Sequence, residues 1–142
     1  MRFKYQKTHH CKAAIVLCMD FRFWEPVIEY LKTNNINDFD IIAVPGAAKE
    51  ILDPKSNLVE KSLQVSSRLH CIEQIIIINH ADCGAYGGRK KFDSIEQEKE
   101  FQLKQIKEAM NKIKQQIEVK KIKGLYVDLD KAGEKINFAQ VN

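Results

Sequence analysis

The sequence predicts a three-layer α/β domain, with a central and mostly parallel β-sheet flanked by helices. Two observations carry that expectation. Apolar runs of strand length, Ala13-Ala14-Ile15-Val16-Leu17 and Ile75-Ile76-Ile77-Ile78, alternate with stretches of helical periodicity. The order strand, helix, strand, helix, strand, helix, strand then calls for parallel neighbours joined by right-handed crossovers. The chain has 142 residues, 44% of them hydrophobic and 30% charged, which suits one globular domain over residues 1–142 with enough chain to bury a core.

Each element has its own signal. Residues 12 to 18 read as the first strand. Trp24, Val27, Ile28 and Leu31 follow at i, i+3, i+4 and i+7, one face of a helix. Pro26 lies in its first turn, where a missing N–H costs little. Thr33-Asn34-Asn35 ends that helix, and Asp40 to Val44 reads as a second buried strand stopped by Pro45-Gly46. The next helix starts after Asp53-Pro54 or at Asn57 and runs to about His70, with Val59, Leu63 and Leu69 as its apolar face. Glu73 to Asn79, rich in β-branched isoleucine, is the most apolar strand and the expected centre of the sheet. Gly84, Gly87 and Gly88 make a turn. Ser94 with Gln97 three residues on is a capping box opening a long helix to about Ile117, with a seam of Leu103, Ile106, Met110, Ile113 and Ile117. Residues 122 to 129 form another strand, and Glu134 to Phe138 a short last one after the Asp130–Gly133 turn.

The formal charge of +4 is mild, and the lysines between Glu96 and Lys114 are interspersed with glutamates. That is a solvated helix face rather than a nucleic-acid patch. Residues Met1 to His10 are basic but lack the apolar region of a signal peptide, and no stretch approaches the length of a membrane span. The expectation is a cytoplasmic protein without nucleic-acid or membrane partners. Its four cysteines are then metal-binding or buried rather than disulfide-bonded.

Two short strings stand out: Cys18-Met19-Asp20-Phe21-Arg22 after the first strand and His80-Ala81-Asp82-Cys83-Gly84 after the third. In a parallel α/β sheet, strand C-termini line the crevice where ligands bind. Two thiolates and an imidazole meeting there make a three-ligand zinc (Zn2+) site with a fourth position left for chemistry. Taken alone, Cys18 reads as a small core residue, and for Asp20 with Arg22 the alternative is a surface ion pair near a helix N-terminus. Cys11 and Cys71 have no partner at ligand spacing beyond the adjacent His10 and His70, and adjacent residues seldom chelate together, so both read as structural.

Cys-x-Asp-x-Arg followed by His-x-x-Cys-Gly resembles the signature of the β-class carbonic anhydrases. The resemblance extends over roughly residues 11 to 138 at the level of layout, including the Gly124–Asp128 strand, and is specific only in the two motifs. It implies a Rossmann-like fold of that class and Cys18, His80 and Cys83 as zinc ligands. It also implies an Asp20 that either takes the fourth zinc position or swings off and accepts a proton from zinc-bound water, with Arg22 pairing to it and holding it off the metal. The implied reaction is reversible hydration of carbon dioxide to bicarbonate by zinc-bound hydroxide. Two thiolates neutralise the dication, so activity favours alkaline pH. Backbone N–H groups at Gly84 and Ala85 are candidates to hold the developing anion. The resemblance further implies a homodimer or higher homo-oligomer.

Three departures from the family pattern matter. Phe21 stands where the family usually has serine, and its ring is either an apolar wall for carbon dioxide or an obstruction. Ala81 stands where threonine is usual. Val44-Pro45-Gly46-Ala47-Ala48-Lys49 replaces the usual Arg/Lys-Asn-Ala-Gly segment, which puts Gly46 and Ala47 among the candidate pocket residues and leaves Lys49 to supply a positive charge elsewhere. The ligands and the Asp20–Arg22 pair thus stand in changed surroundings. That combination also fits a zinc-binding protein without hydratase activity, or a hydrolase of another small electrophile such as carbonyl sulfide or carbon disulfide.

Overall fold

The computed structural model describes residues 1–2 and 4–141. Five strands form one sheet: β1 (Ala13–Cys18), β2 (Phe39–Val44), β3 (Gln74–His80), β4 (Lys121–Leu129) and β5 (Ile136–Val141). Their order is β2-β1-β3-β4-β5. The first four run parallel and β5 returns antiparallel to β4. Four α-helices connect them: α1 (Trp24–Thr33), α2 (Ala48–Leu52), α3 (Leu58–His70) and α4 (Ile95–Gln116).

The isoleucine run of β3 is explained by its place. Ile75 and Ile77 pack with Val59 and Leu63 of α3 and Ala109 and Ile113 of α4, while Ile76 and Ile78 pack on the other face with Val27 and Leu31 of α1. A central strand covered on both sides reads as a continuous apolar run rather than an alternating one. Helices α2, α3 and α4 therefore form one outer layer and α1 the other. Gly124 of β4 lets α4 approach: a Cβ there would lie 2.3 Å from Ile106 Cγ2 and 2.8 Å from Met110 Sδ.

Several expectations need correction. Among the described residues β2 is an edge strand paired with β1 alone, and Ile41 is half-exposed. Leu69 is exposed, and the inward face of α3 is completed by Glu60 and Ser66 instead. Helix α2 falls between Pro45-Gly46 and Asp53-Pro54, where the sequence reading places no element. The capping box is altered: Ser94 Oγ accepts from Gln97 N–H at 3.0 Å, but Gln97 Oε1 accepts from Asp93 N–H rather than from that of Ser94. The rest of the elements lie within a few residues of where periodicity places them.

Candidate active site

The adjacent parallel strands β1 and β3, in register with Leu17 opposite Ile78, deliver Cys18 and His80 to one edge of the sheet. Residues 81–83 then turn back under the strand ends, with Asp82 in the left-handed region at φ +54°, and bring in Cys83. The donor atoms of Cys18, His80 and Cys83 lie within 4.8 Å of one another, and all three residues are buried. The two sulfurs are 3.8 Å apart. Tetrahedral zinc with Zn–S bonds of about 2.3 Å requires sulfurs about 3.8 Å apart.

His80 completes the fit. Its Nδ1 lies 2.7 Å from the Ala81 carbonyl, which can only accept, so Nδ1 carries the proton and Nε2 presents a lone pair. That Nε2 is buried without a hydrogen-bond partner among the described residues. A buried polar atom left unpaired is costly, and a cation would satisfy it. The Phe23 ring stacks on the imidazole at 4.2 Å and fixes its plane. A hydrogen bond from Cys83 pushes the Cys18 thiol down to about 4 against the effect of burial, and the Gly46 N–H at 3.4 Å adds to it; the same sulfur–sulfur bond pushes Cys83 up. A cation bound here would take both sulfurs as thiolates and release their protons. The residues present fit zinc.

Asp20 caps the 3₁₀ turn Phe21–Phe23 and accepts the Arg22 backbone N–H at 3.1 Å. The Arg22 guanidinium also forks onto it, with Nη2 2.6 Å from Oδ2 and Nε 3.0 Å from Oδ1. These bonds hold the Asp20 carboxyl below its ordinary value despite partial burial. Oδ2 is 4.0 Å from His80 Nε2, so the carboxylate borders the cluster. The cap and the ion pair, alternatives on sequence, coexist. Arg22 reaches further: Nη1 donates to Asp82 Oδ2 at 3.0 Å and Nη2 to the Asp82 carbonyl at 3.2 Å. Asp82 in turn accepts the Arg89 N–H, and its own N–H donates to the fully buried Glu98, which pairs with the Arg89 side chain at 2.8 Å.

A cleft of about 470 Å³ opens beside the cluster, lined by Cys18, Asp20, Phe21, Arg22, Pro45 and Ala85 among others. Phe21 is 83% exposed and stands on its wall. Gly84 and Ala85 also border the cleft, in the 3₁₀ turn Gly84–Tyr86, and the Ala85 N–H favours the thiolate of Cys83. Two expected pocket residues lie elsewhere. Gly46 (φ +71°) is buried and donates to the Cys18 sulfur, and Ala47 is in the core because Ala48 N–H is tied to Asn79 Oδ1 at 3.0 Å. Pro45 takes the wall position. Lys49 does not charge the pocket: its ammonium bonds the Ala85 carbonyl and sits over the Tyr86 ring.

Sequence reasoning missed Phe23, Asn79, Asp82 and the Arg89–Glu98 pair. Asn79 ends an isoleucine run next to His80, which was the available signal; it holds Tyr86 and Gln102 as well as Ala48. Reading Cys11 by spacing alone also misses what the fold does, since Asp40 and His70 lie beside it.

Residues 8–137 match a protein-family model described as "Putative carbonic anhydrase". An uncharacterized protein of Rickettsia conorii is 26% identical over 130 residues, 86% of this chain and 70% of that protein. The β-carbonic anhydrase CafA of Aspergillus fumigatus superposes with a TM-score of 0.69 at 15% identity, covering 94% of this chain and 76% of that one. A tetrameric β-carbonic anhydrase of Sordaria macrospora superposes with a TM-score of 0.67 at 13% identity, covering 95% and 82%. At these identities the structural likeness is one of fold.

Proposed function

We propose that this chain, which belongs to the carbonic anhydrase family matched over residues 8–137, catalyses the reversible hydration of carbon dioxide to bicarbonate with zinc held by Cys18, His80 and Cys83. The observation that carries the reading is the buried trio whose third donor, His80 Nε2, has no hydrogen-bond partner among the described residues, set beside a cleft with apolar walls. The ion's contribution is a hydroxide nucleophile near neutral pH.

The chain's own residues do the rest. Ala81 O and Phe23 keep the imidazole in one tautomer and plane. Asp20 Oδ2 accepts the proton that water gives up, and the Arg22 fork keeps that carboxylate ionised and aimed. Asp82 anchors the far side of the same guanidinium, so Arg22 cannot swing without losing two carboxylates at once. Phe21, Pro45 and Ala85 offer carbon dioxide, a small apolar molecule, a surface on which it competes well with water.

The same reading extends to assembly and place. Met19 (59%) and Phe21 (83%) line the cleft with their large apolar side chains exposed, and Trp24 (43%) follows them in the chain. We read this as a face covered in a homo-oligomer. The structural neighbour from Sordaria macrospora is tetrameric. Free thiols at the ligand positions suit a reducing compartment, and we place the protein in the cytoplasm as a single domain.

Stopped-flow carbon dioxide hydration between neutral and alkaline pH, with zinc determined on the same sample, tests the reading. Turnover that disappears together with the zinc lost in Cys83→Ser supports it. Zinc bound at the trio without turnover at any pH overturns hydration, and carbonyl sulfide and carbon disulfide are then the substrates to assay.

A further inference from the structure

At the opposite end of the sheet the fold assembles a second set of metal-ligating side chains. Cys11 precedes β1, Asp40 is the second residue of β2, and His70 is the last residue of α3. Because β1 and β2 are parallel with Ala14 opposite Asp40, and α3 runs back antiparallel to them, the three meet at the N-terminal edge. Cys11 N–H donates to the His70 carbonyl at 3.1 Å, which ties the segment before β1 to the end of the helix. One donor atom from each residue lies within 4.8 Å of the others. The imidazole of His9 is adjacent, its ring centroid 6.4 Å from that of His70.

We propose that Cys11, Asp40 and His70 form a second metal site for a borderline-soft divalent cation, zinc foremost, with His9 at hand for the fourth position. One sulfur, one carboxylate oxygen and one or two imidazoles are a donor set that zinc accepts tetrahedrally, and the thiolate disfavours magnesium and calcium. The ion would clip the N-terminal segment, β2 and α3 together.

The site is weaker than the buried trio for a visible reason. His70 Nδ1 and Asp40 Oδ2 are hydrogen-bonded at 2.7 Å, and Ser66 Oγ donates to the same oxygen at 2.5 Å. Two nitrogen or oxygen ligands on tetrahedral zinc stand roughly 3.3 Å apart, so the ion must open the His70–Asp40 contact. The side chains have room to move, being 34% and 29% exposed, and they line a groove of about 590 Å³.

The test is metal stoichiometry on the full chain. Wild-type protein titrated with Co2+ shows a second equivalent whose absorption carries a single-thiolate charge-transfer band. The same protein equilibrated with Zn2+ holds an equivalent that Cys11→Ser and His70→Gln each weaken at least about tenfold, while the zinc at Cys18, His80 and Cys83 remains. Both substituted residues are only part-buried, and circular dichroism melts confirm that the variants fold. One equivalent in the wild-type chain, or a second that survives both substitutions, overturns the proposal. Cys83→Ser separates the two sites, since it empties the trio and leaves this equivalent in place.

Discussion

At one end of the sheet Cys18, His80 and Cys83 are buried, the two sulfurs lie 3.8 Å apart, and the imidazole nitrogen facing them has no hydrogen-bond partner among the described residues. At the other end Cys11, Asp40 and His70 are part-exposed, and histidine and aspartate already satisfy each other. The residue types overlap; the state of the donors differs. An unpaired donor in the interior raises the free energy of the metal-free protein, so metal binding there relieves a cost. A paired donor at the surface must lose a hydrogen bond first. Burial and prior satisfaction, rather than residue identity, therefore rank the two clusters.

Removing a ligand from the buried cluster is the strongest way to break that ranking. Cys83→Ser should abolish zinc retention at the trio and with it essentially all hydratase turnover, read by metal analysis and stopped flow. Chelating the zinc from wild-type protein should lower stability by about 3–4 kcal/mol if free zinc was several hundred times its dissociation constant. A chelator that leaves the melting temperature unchanged would place no stabilising ion at the trio.

Asp20→Asn sharpens the comparison from the chemical side. It keeps shape and an Arg22 contact but cannot take a proton. Zinc content should stay at the wild-type level while kcat falls about 10²- to 10⁴-fold. Unchanged kcat would remove Asp20 from proton transfer and leave it as the cap of its 3₁₀ turn.

Gly46→Ala probes the support beneath the buried cluster. At φ +71° a Cβ meets Ala85 Cβ at 3.0 Å and Lys49 Cβ at 3.1 Å, so the turn must shift and the N–H to the Cys18 sulfur must lengthen. We expect a loss of about 1–3 kcal/mol in denaturant unfolding and a weaker hold on zinc. His70→Gln at the other end should cost less, about 0–1 kcal/mol without added metal, because its hydrogen bond with Asp40 is part-exposed. If the two losses came out equal, burial would not be what separates the clusters.

The sheet was legible because its signals are local. A doubly covered β3 shows as a run of isoleucines, and α4 shows as a seam of apolar residues three and four apart. The trio was legible because strand ends and ligand types coincide in two short strings. What escaped depends on residues distant in sequence. Arg22 and Asp82 are sixty positions apart and meet only because β1 and β3 are neighbours. Cys11 gains its partners from β2 and α3. Helix α2 has five residues, too few for periodicity, and follows Ala47 at φ +44°, a conformation that residue type does not announce. The exposed edge of β2 escaped because Ile41 looks identical whether or not a helix lies over it.

The smallest expected effect on stability concerns the mouth of the buried cluster. Phe21 is 83% exposed, so Phe21→Ser removes little buried area and should move the unfolding free energy by no more than about 0.5 kcal/mol. Its effect on kcat/KM then reports function almost free of folding. A ring that serves as an apolar wall holds carbon dioxide against water, and its loss should raise KM. A ring that obstructs entry should, when removed, raise kcat/KM. We expect the first outcome, because the ring is a lining residue of an open cleft and is itself 83% exposed. A concentration-dependent change in the variant's oligomeric state, followed by sedimentation, would show in addition that the same ring is covered by a second copy. Wild-type and variant protein are then to be compared at matched assembly before any change in turnover is assigned to the pocket.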